Sequence, residues 1–76
     1  MAHTTTDAER KLLKKLGEKV KAVREKQGLT LEQVAFAINK DRQSISRLEN
    51  GGVNPTYIYL VAVAKGLNVS VEELLP

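Results

Sequence analysis

The sequence predicts an all-α domain of five helices around one core. Apolar residues recur at helical spacing in segments separated by glycine, asparagine or proline. Strand-like alternation is missing, and aromatic residues make up only 4% of the chain. Several segment starts also carry helix-cap chemistry, which places them within a few residues. At 76 residues the chain has room for one compact domain, and a chain of this size buries only about 60% of its unfolded surface.

The first helix is expected over 7–27. Thr6 stands three residues before Glu9, a spacing that lets each side chain satisfy an orphan amide of the other. Leu16, Val20 and Val23 form its apolar stripe, and Gly28 suits the left-handed position that ends it. The second helix, 31–38, starts on the same box chemistry from Thr30 and Gln33, with Leu29 and Val34 as a hydrophobic staple. Leu31, Val34, Ala35 and Ile38 face the core. Asp41 caps the third helix, 42–50, which Ile45 and Leu48 anchor and Gly51 ends. For the fourth, 55–67, Asn54 reads as the cap and Pro55 as the first helical residue, where a missing N–H costs nothing. Its core face is expected from Tyr57, Leu60, Val61, Ala64 and Leu67, with Asn68 as the stop. A short fifth helix, 71–74, follows from Ser70 with Glu73 and a Val69–Leu74 staple.

Composition excludes several classes of function. Cysteine is absent and the single histidine, His3, lies in a polar tail. No disulfide, thiolate metal site or cysteine–histidine catalytic pair can be assembled, so neither an enzyme nor a cofactor or metal is expected. The lack of cysteine suits a cytoplasmic setting. No apolar run approaches the roughly 20 residues that span a bilayer. Residues 1–6 carry no signal-peptide pattern and read as a flexible tail before a single domain, 7–76. A net charge of +3 leans weakly towards a polyanionic partner.

The informative feature is the pair of short helices joined by Asn39, Lys40 and Asp41. Two such helices with a three- or four-residue connection have helix-turn-helix geometry, in which the second lies in the DNA major groove. Arg42, Gln43, Ser46 and Arg47 of that second helix fall on the face away from Ile45 and Leu48. Arginine can bond guanine O6 and N7 together, and glutamine can do the same for adenine N6 and N7. Phosphate donors are available on the rims from Lys40, Ser44, Asn50, Gly51, Asn54 and Thr56.

The segment GLTLEQVAFAINKDRQSISRLEN, followed by GGVNPTYIYLVAVAKGLNVSVEELL, resembles the helix-turn-helix domain of the phage repressor and Cro family, also called xenobiotic-response-element regulators. The resemblance covers about Leu16 to Leu75. Its pattern elements are Gly28-Leu29-Thr30, Ala35, the run from Ile45 to Gly51, and Asn54-Pro55. It implies a compact lambda-repressor-like fold. It also implies that Arg42, Gln43 and Arg47 reach bases with Ser46 nearby, and that Asn50 touches the DNA backbone. Arg24 and Glu49 match a pair that in family members bridges the first and third helices, giving Glu49 a structural role. The chain departs from the pattern at Leu31, where glutamine is common, at Asn39, which replaces a turn glycine, and at Lys40, where an apolar residue is usual.

Residues 8–27 carry eight basic and three acidic side chains, read as a solvated helix face because the resemblance implies a DNA face elsewhere. A basic amphipathic membrane helix is set aside because Leu16, Val20 and Val23 are needed by the core. The fourth helix is apolar all round, and such a helix is normally buried. Ile58, Tyr59, Ala62 and Val63, with Val71 and Leu75, are therefore expected to meet a second copy. Phe36 belongs either to that surface or against the Leu12–Leu13 extension. The expected function is a transcriptional regulator that binds double-stranded DNA, as a homodimer on a palindromic operator. The alternatives are a protein-binding module, such as the antitoxin of a toxin–antitoxin pair, and a restriction–modification controller.

Overall fold

A computed structural model describes residues 5–76. The tail expected over 1–6, with His3, lies mainly outside the described residues, and Thr6 already belongs to the first helix as its cap. Four α-helices follow in order: α1 (Asp7–Lys26), α2 (Leu31–Ala37), α3 (Arg42–Glu49) and α4 (Tyr57–Gly66). A single 3₁₀ turn, Val71–Leu74, stands where the sequence predicts a fifth helix. Its bonds run from the Glu73 amide to the Ser70 carbonyl and from the Leu75 amide to the Glu72 carbonyl. Four residues allow one such tight turn and no α-helical turn beyond it.

Local chemistry accounts for the helix starts. The Thr6 amide donates to Glu9 at 2.8 Å while the Glu9 amide donates to the Thr6 hydroxyl at 3.1 Å. Thr30 and Gln33 repeat this exchange at the same two distances. Ser70 donates to Glu73 through both its amide and its hydroxyl. Each exchange satisfies amides that the first helical turn leaves without carbonyl partners. Gly28 and Gly51 adopt positive φ, as do Asn39 and Asn68. Asparagine takes that left-handed conformation at less cost than most side chains, which is why Asn39 can turn the chain between α2 and α3.

The fourth helix departs from expectation at its start. Thr56, in extended conformation, is the N-cap, and its hydroxyl accepts from the Tyr59 amide at 3.0 Å. Asn54 and Pro55 remain in the preceding loop. The buried face of α4 also differs. Leu60, Val63, Ala64 and Leu67 are buried, Val61 is half-buried, and Tyr57 is exposed.

Val20, Val34, Ile45, Leu48, Val63, Leu67 and Leu74 are almost completely enclosed and form the centre of the core. Around it α1 packs on α3 and the terminal turn, α2 packs on α3 and α4, and α4 packs on the terminal turn. Two close backbone approaches seat α1 on the end of α3. A Cβ at Gly17 would overlap the carbonyl oxygens of Leu48 and Glu49. A Cβ at Gly51 would lie 2.9 Å from the Cα of Lys14.

Candidate nucleic-acid interface

The candidate site is the outer face of α3, and three features hold that helix in place. At its start the Asp41 carboxylate accepts from the Ser44 amide at 2.8 Å and from the Ser44 hydroxyl at 2.9 Å. These two bonds hold the Asp41 carboxyl below the usual carboxylate range. Along its inner face Ile45 and Leu48 are buried. At its end Glu49 is 7% exposed, and Arg24 donates to it twice, from Nε at 2.6 Å and Nη2 at 3.0 Å. The hydrogen bond to Glu49 pushes the Arg24 guanidinium further up, so the arginine keeps its charge. The remaining Arg24 nitrogen, Nη1, donates to the Leu29 carbonyl at 2.8 Å.

On the outer face Arg42, Gln43 and Arg47 are exposed together. Arg42 has one loose partner, Glu32 on α2 at 3.8 Å, with both side chains largely in solvent. Such a pair is weak enough to yield to a competing ligand. Ser46 is half-buried, and its hydroxyl accepts from the Asn50 side chain at 3.4 Å. Of the expected phosphate donors, Lys40, Asn50, Asn54 and Thr56 are exposed. Gly51 is half-buried beside Lys14. Ser44 is half-buried and its hydroxyl hydrogen is engaged by Asp41, so the structure makes it part of the cap.

Two residues expected at a dimer surface are placed elsewhere. Val63 is completely buried and has no surface to offer a partner. Tyr59 is only part exposed and packs against the core. It borders a 190 Å³ depression shared with Lys40, Ser44, Arg47 and Val53. The Lys40 ammonium stands 5.9 Å from the Tyr59 ring centroid. The cause of both misplacements is the rotation of α4, which carries almost no polar residue to mark its outer face. Ile58 is 75% exposed and Leu75 46%, while Ala62 and Val71 are half-buried. Phe36 is 89% exposed and is not covered by the Leu12–Leu13 extension. Sequence reasoning also missed Gly17, whose close approach to another backbone leaves no local pattern.

Among the described residues no group of three or more histidine, cysteine, aspartate and glutamate side chains converges on one point. Among the described residues, no helix is long and apolar enough to cross a membrane either.

The helix pair, the cap at Asp41 and the cationic outer face of α3 define a helix-turn-helix protein, and comparison with known families agrees. The helix-turn-helix family profile matches residues 20–74, and the chain belongs to that family of DNA-binding transcriptional regulators. It is 39% identical over 62 residues to an uncharacterized HTH-type transcriptional regulator of Sinorhizobium fredii, covering 82% of this chain and 80% of that one. Among solved structures it is similar to the restriction-modification controller protein C.AhdI from Aeromonas hydrophila. There the TM-score is 0.80 at 28% identity, over 83% of this chain and 96% of that one. It is also similar to the restriction-modification controller protein C.Esp1396I, solved as a tetramer in complex with its natural 35 base-pair operator. That match has a TM-score of 0.74 at 34% identity, over 83% of this chain and 93% of the other.

Proposed function

We propose that the chain is a sequence-specific regulator of transcription that acts in the cytoplasm as a homodimer on a palindromic operator. The observation that carries this reading is the exposed trio Arg42, Gln43 and Arg47 on one side of a helix whose other side is fixed by the core and by Arg24. Base discrimination requires hydrogen-bonding side chains held in register, and a rigid helix laid in the major groove supplies that. Lys40, Asn50, Gly51, Asn54 and Thr56 flank the trio and take the phosphates. Binding, with no chemical step, is the whole activity.

Selection of bound duplexes from a random pool tests the reading. The expected product is an inverted repeat with half-sites about one helical turn apart. A pool that remains random after repeated selection would overturn it.

A second reading, control of a restriction–modification operon, is favoured by one observation. The match extends over 96% of C.AhdI and 93% of C.Esp1396I, so this domain is nearly the whole of both controllers. Restriction and methyltransferase genes beside the coding sequence would select that reading.

A further inference from the structure

Among the described residues, the Tyr59 hydroxyl is the one buried side-chain polar atom without a hydrogen-bond partner. Such a group costs free energy, and phenylalanine would fill the same space without that cost. The hydroxyl therefore calls for a partner outside the folded chain. Its surroundings indicate which kind. Lys40, Ser44, Arg47 and Val53 line the adjoining depression, and Lys40 and Arg47 are exposed cations. Ser44 donates its hydroxyl to Asp41 and has no second hydrogen to give. The Asp41 charge is itself engaged by the Ser44 amide and hydroxyl. Two cations beside an unsatisfied neutral donor suit an oxyanion, and Ser44 and Arg47 in the lining set the depression against α3.

We infer that Tyr59 donates a hydrogen bond to a DNA backbone phosphate that Lys40 holds at the rim of the α3 face, beside the base-reading Arg47. This rests on the DNA-binding reading above and adds to it a contact from α4, outside the helix-turn-helix itself. Burial raises the Tyr59 phenol, with a smaller contribution from the Asp41 charge, so it keeps the proton that it donates. As the phosphate enters, the Lys40 ammonium leaves the ring face for the phosphate oxygens. The contact is thus completed only when DNA docks.

Tyr59→Phe isolates the hydroxyl because the ring and its packing remain. Wild type, Tyr59→Phe, Lys40→Ala and Arg42→Ala are titrated with the selected operator and with a random duplex over a range of salt. Tyr59→Phe is expected to weaken both duplexes alike by about tenfold, the worth of a hydrogen bond to a charged group. A neutral donor displaces no counterion, so the salt dependence should stay that of wild type, whereas Lys40→Ala should lower the slope by about 0.9. The Tyr59→Phe midpoint of unfolding should equal or exceed that of wild type, since an unsatisfied group is gone.

Wild-type affinity of Tyr59→Phe for both duplexes would overturn the inference, and so would a loss confined to the operator, which would make Tyr59 a base reader. Saturable binding of inorganic phosphate to the free protein, followed by the Tyr59 ring resonances, would assign the depression to a free anion instead. Failure of the underlying reading has a separate signature: Arg42→Ala would then keep the full preference for operator over random DNA.

Discussion

Arg24 and Glu49 join the end of α1 to the end of α3 through two hydrogen bonds of 2.6 and 3.0 Å, and the same guanidinium holds the Leu29 carbonyl at 2.8 Å. One side chain therefore ties three places together: the last turn of α1, the entry to α2 and the last turn of α3. Arginine alone among the side chains offers a rigid fork with donors left over for a third partner. The arrangement also turns an acidic group of α3 inward, where it cannot repel DNA.

Removing one partner of this pair should therefore act on stability. Both side chains are largely enclosed, at 11% and 5% exposure, and a buried charge left alone costs about 3 kcal/mol. Glu49→Ala should lower the thermal midpoint, by about 4–8 °C for each kcal/mol in a domain this small. The double variant with Arg24→Ala should lose less than the sum of the singles. An unchanged midpoint together with altered DNA affinity would show that Glu49 acts on DNA instead.

Gly17 offers a second test of how α3 is seated. Adding a methyl group there drives it into the Leu48 and Glu49 carbonyls, and backbone atoms cannot swing aside as a side chain can. Alanine normally favours a helix over glycine, so the sign of the effect discriminates. Gly17→Ala should destabilise by about 1–3 kcal/mol through overpacking. Denaturant unfolding measures it, and a stabilised variant would show that α1 shifts freely on α3.

These two contacts also show what the sequence could and could not reveal. Thr6, Thr30 and Asp41 were legible as caps because capping is decided within four residues by side-chain chemistry. The core stripes of α1, α2 and α3 were legible because polar residues mark the opposite face. On α4 nearly every residue is apolar, so the pattern had no phase and Val63 and Tyr57 were exchanged between core and surface. Asn54-Pro55 resembles a helix start, yet the Thr56 hydroxyl bonds the Tyr59 amide and takes that role two residues later. Gly17 was silent because its reason lies in a distant segment. For the site, the outer face of α3 followed from helical spacing, whereas the neighbourhood of Tyr59 depended on the unreadable rotation of α4.

Base reading by α3 makes a prediction about specificity. Arg42→Ala or Arg47→Ala should cost about 1–3 kcal/mol on the selected operator and much less on random DNA. Lys40→Ala should weaken both, because a phosphate contact carries no sequence information. Competition binding with the two duplexes measures the ratio, and equal losses for the arginine variants would remove them from the base-reading set.

Asp41 makes α3 sensitive to acid. Its carboxyl is held below its ordinary value by the Ser44 amide and hydroxyl, so the folded state binds its proton less readily than the unfolded chain. The stability contributed by this cap is present above the unfolded pKa and is lost as pH falls through the folded one. In an Asp41→Asn variant the side-chain amide oxygen would still accept from the Ser44 amide, without titrating. That variant should lose less stability than wild type on acidification below the usual carboxylate range, as followed by thermal midpoint against pH. Equal losses in the two proteins would exclude Asp41 from the acid response.

Homodimerisation is the remaining expectation, and the structure narrows where to test it. With Val63 buried and Tyr59 turned towards Lys40, the residues expected at the interface come down to Ile58, Ala62, Val71 and Leu75, while exposed Tyr57 and half-buried Val61 extend the apolar surface of α4. Ile58 and Ala62 lie one helical turn apart and so share a face. A two-fold axis brings the same patch of each copy together and turns both α3 helices towards one side of the DNA. Two recognition helices about 34 Å apart then meet successive major grooves, which is why the operator should be a palindrome. Ile58 and Leu75 are exposed in the single chain, so Ile58→Glu with Leu75→Glu should leave the monomer folded and place like charges across the axis. Sedimentation at micromolar concentration should show a dimer for wild type and a monomer for the double variant, with an unchanged circular dichroism spectrum. The variant should also lose operator affinity far more than affinity for a single half-site, because the second half-site no longer binds at high effective concentration. A wild-type chain that is monomeric both free and on DNA would overturn the dimer, and a double variant that still dimerises would move the interface elsewhere.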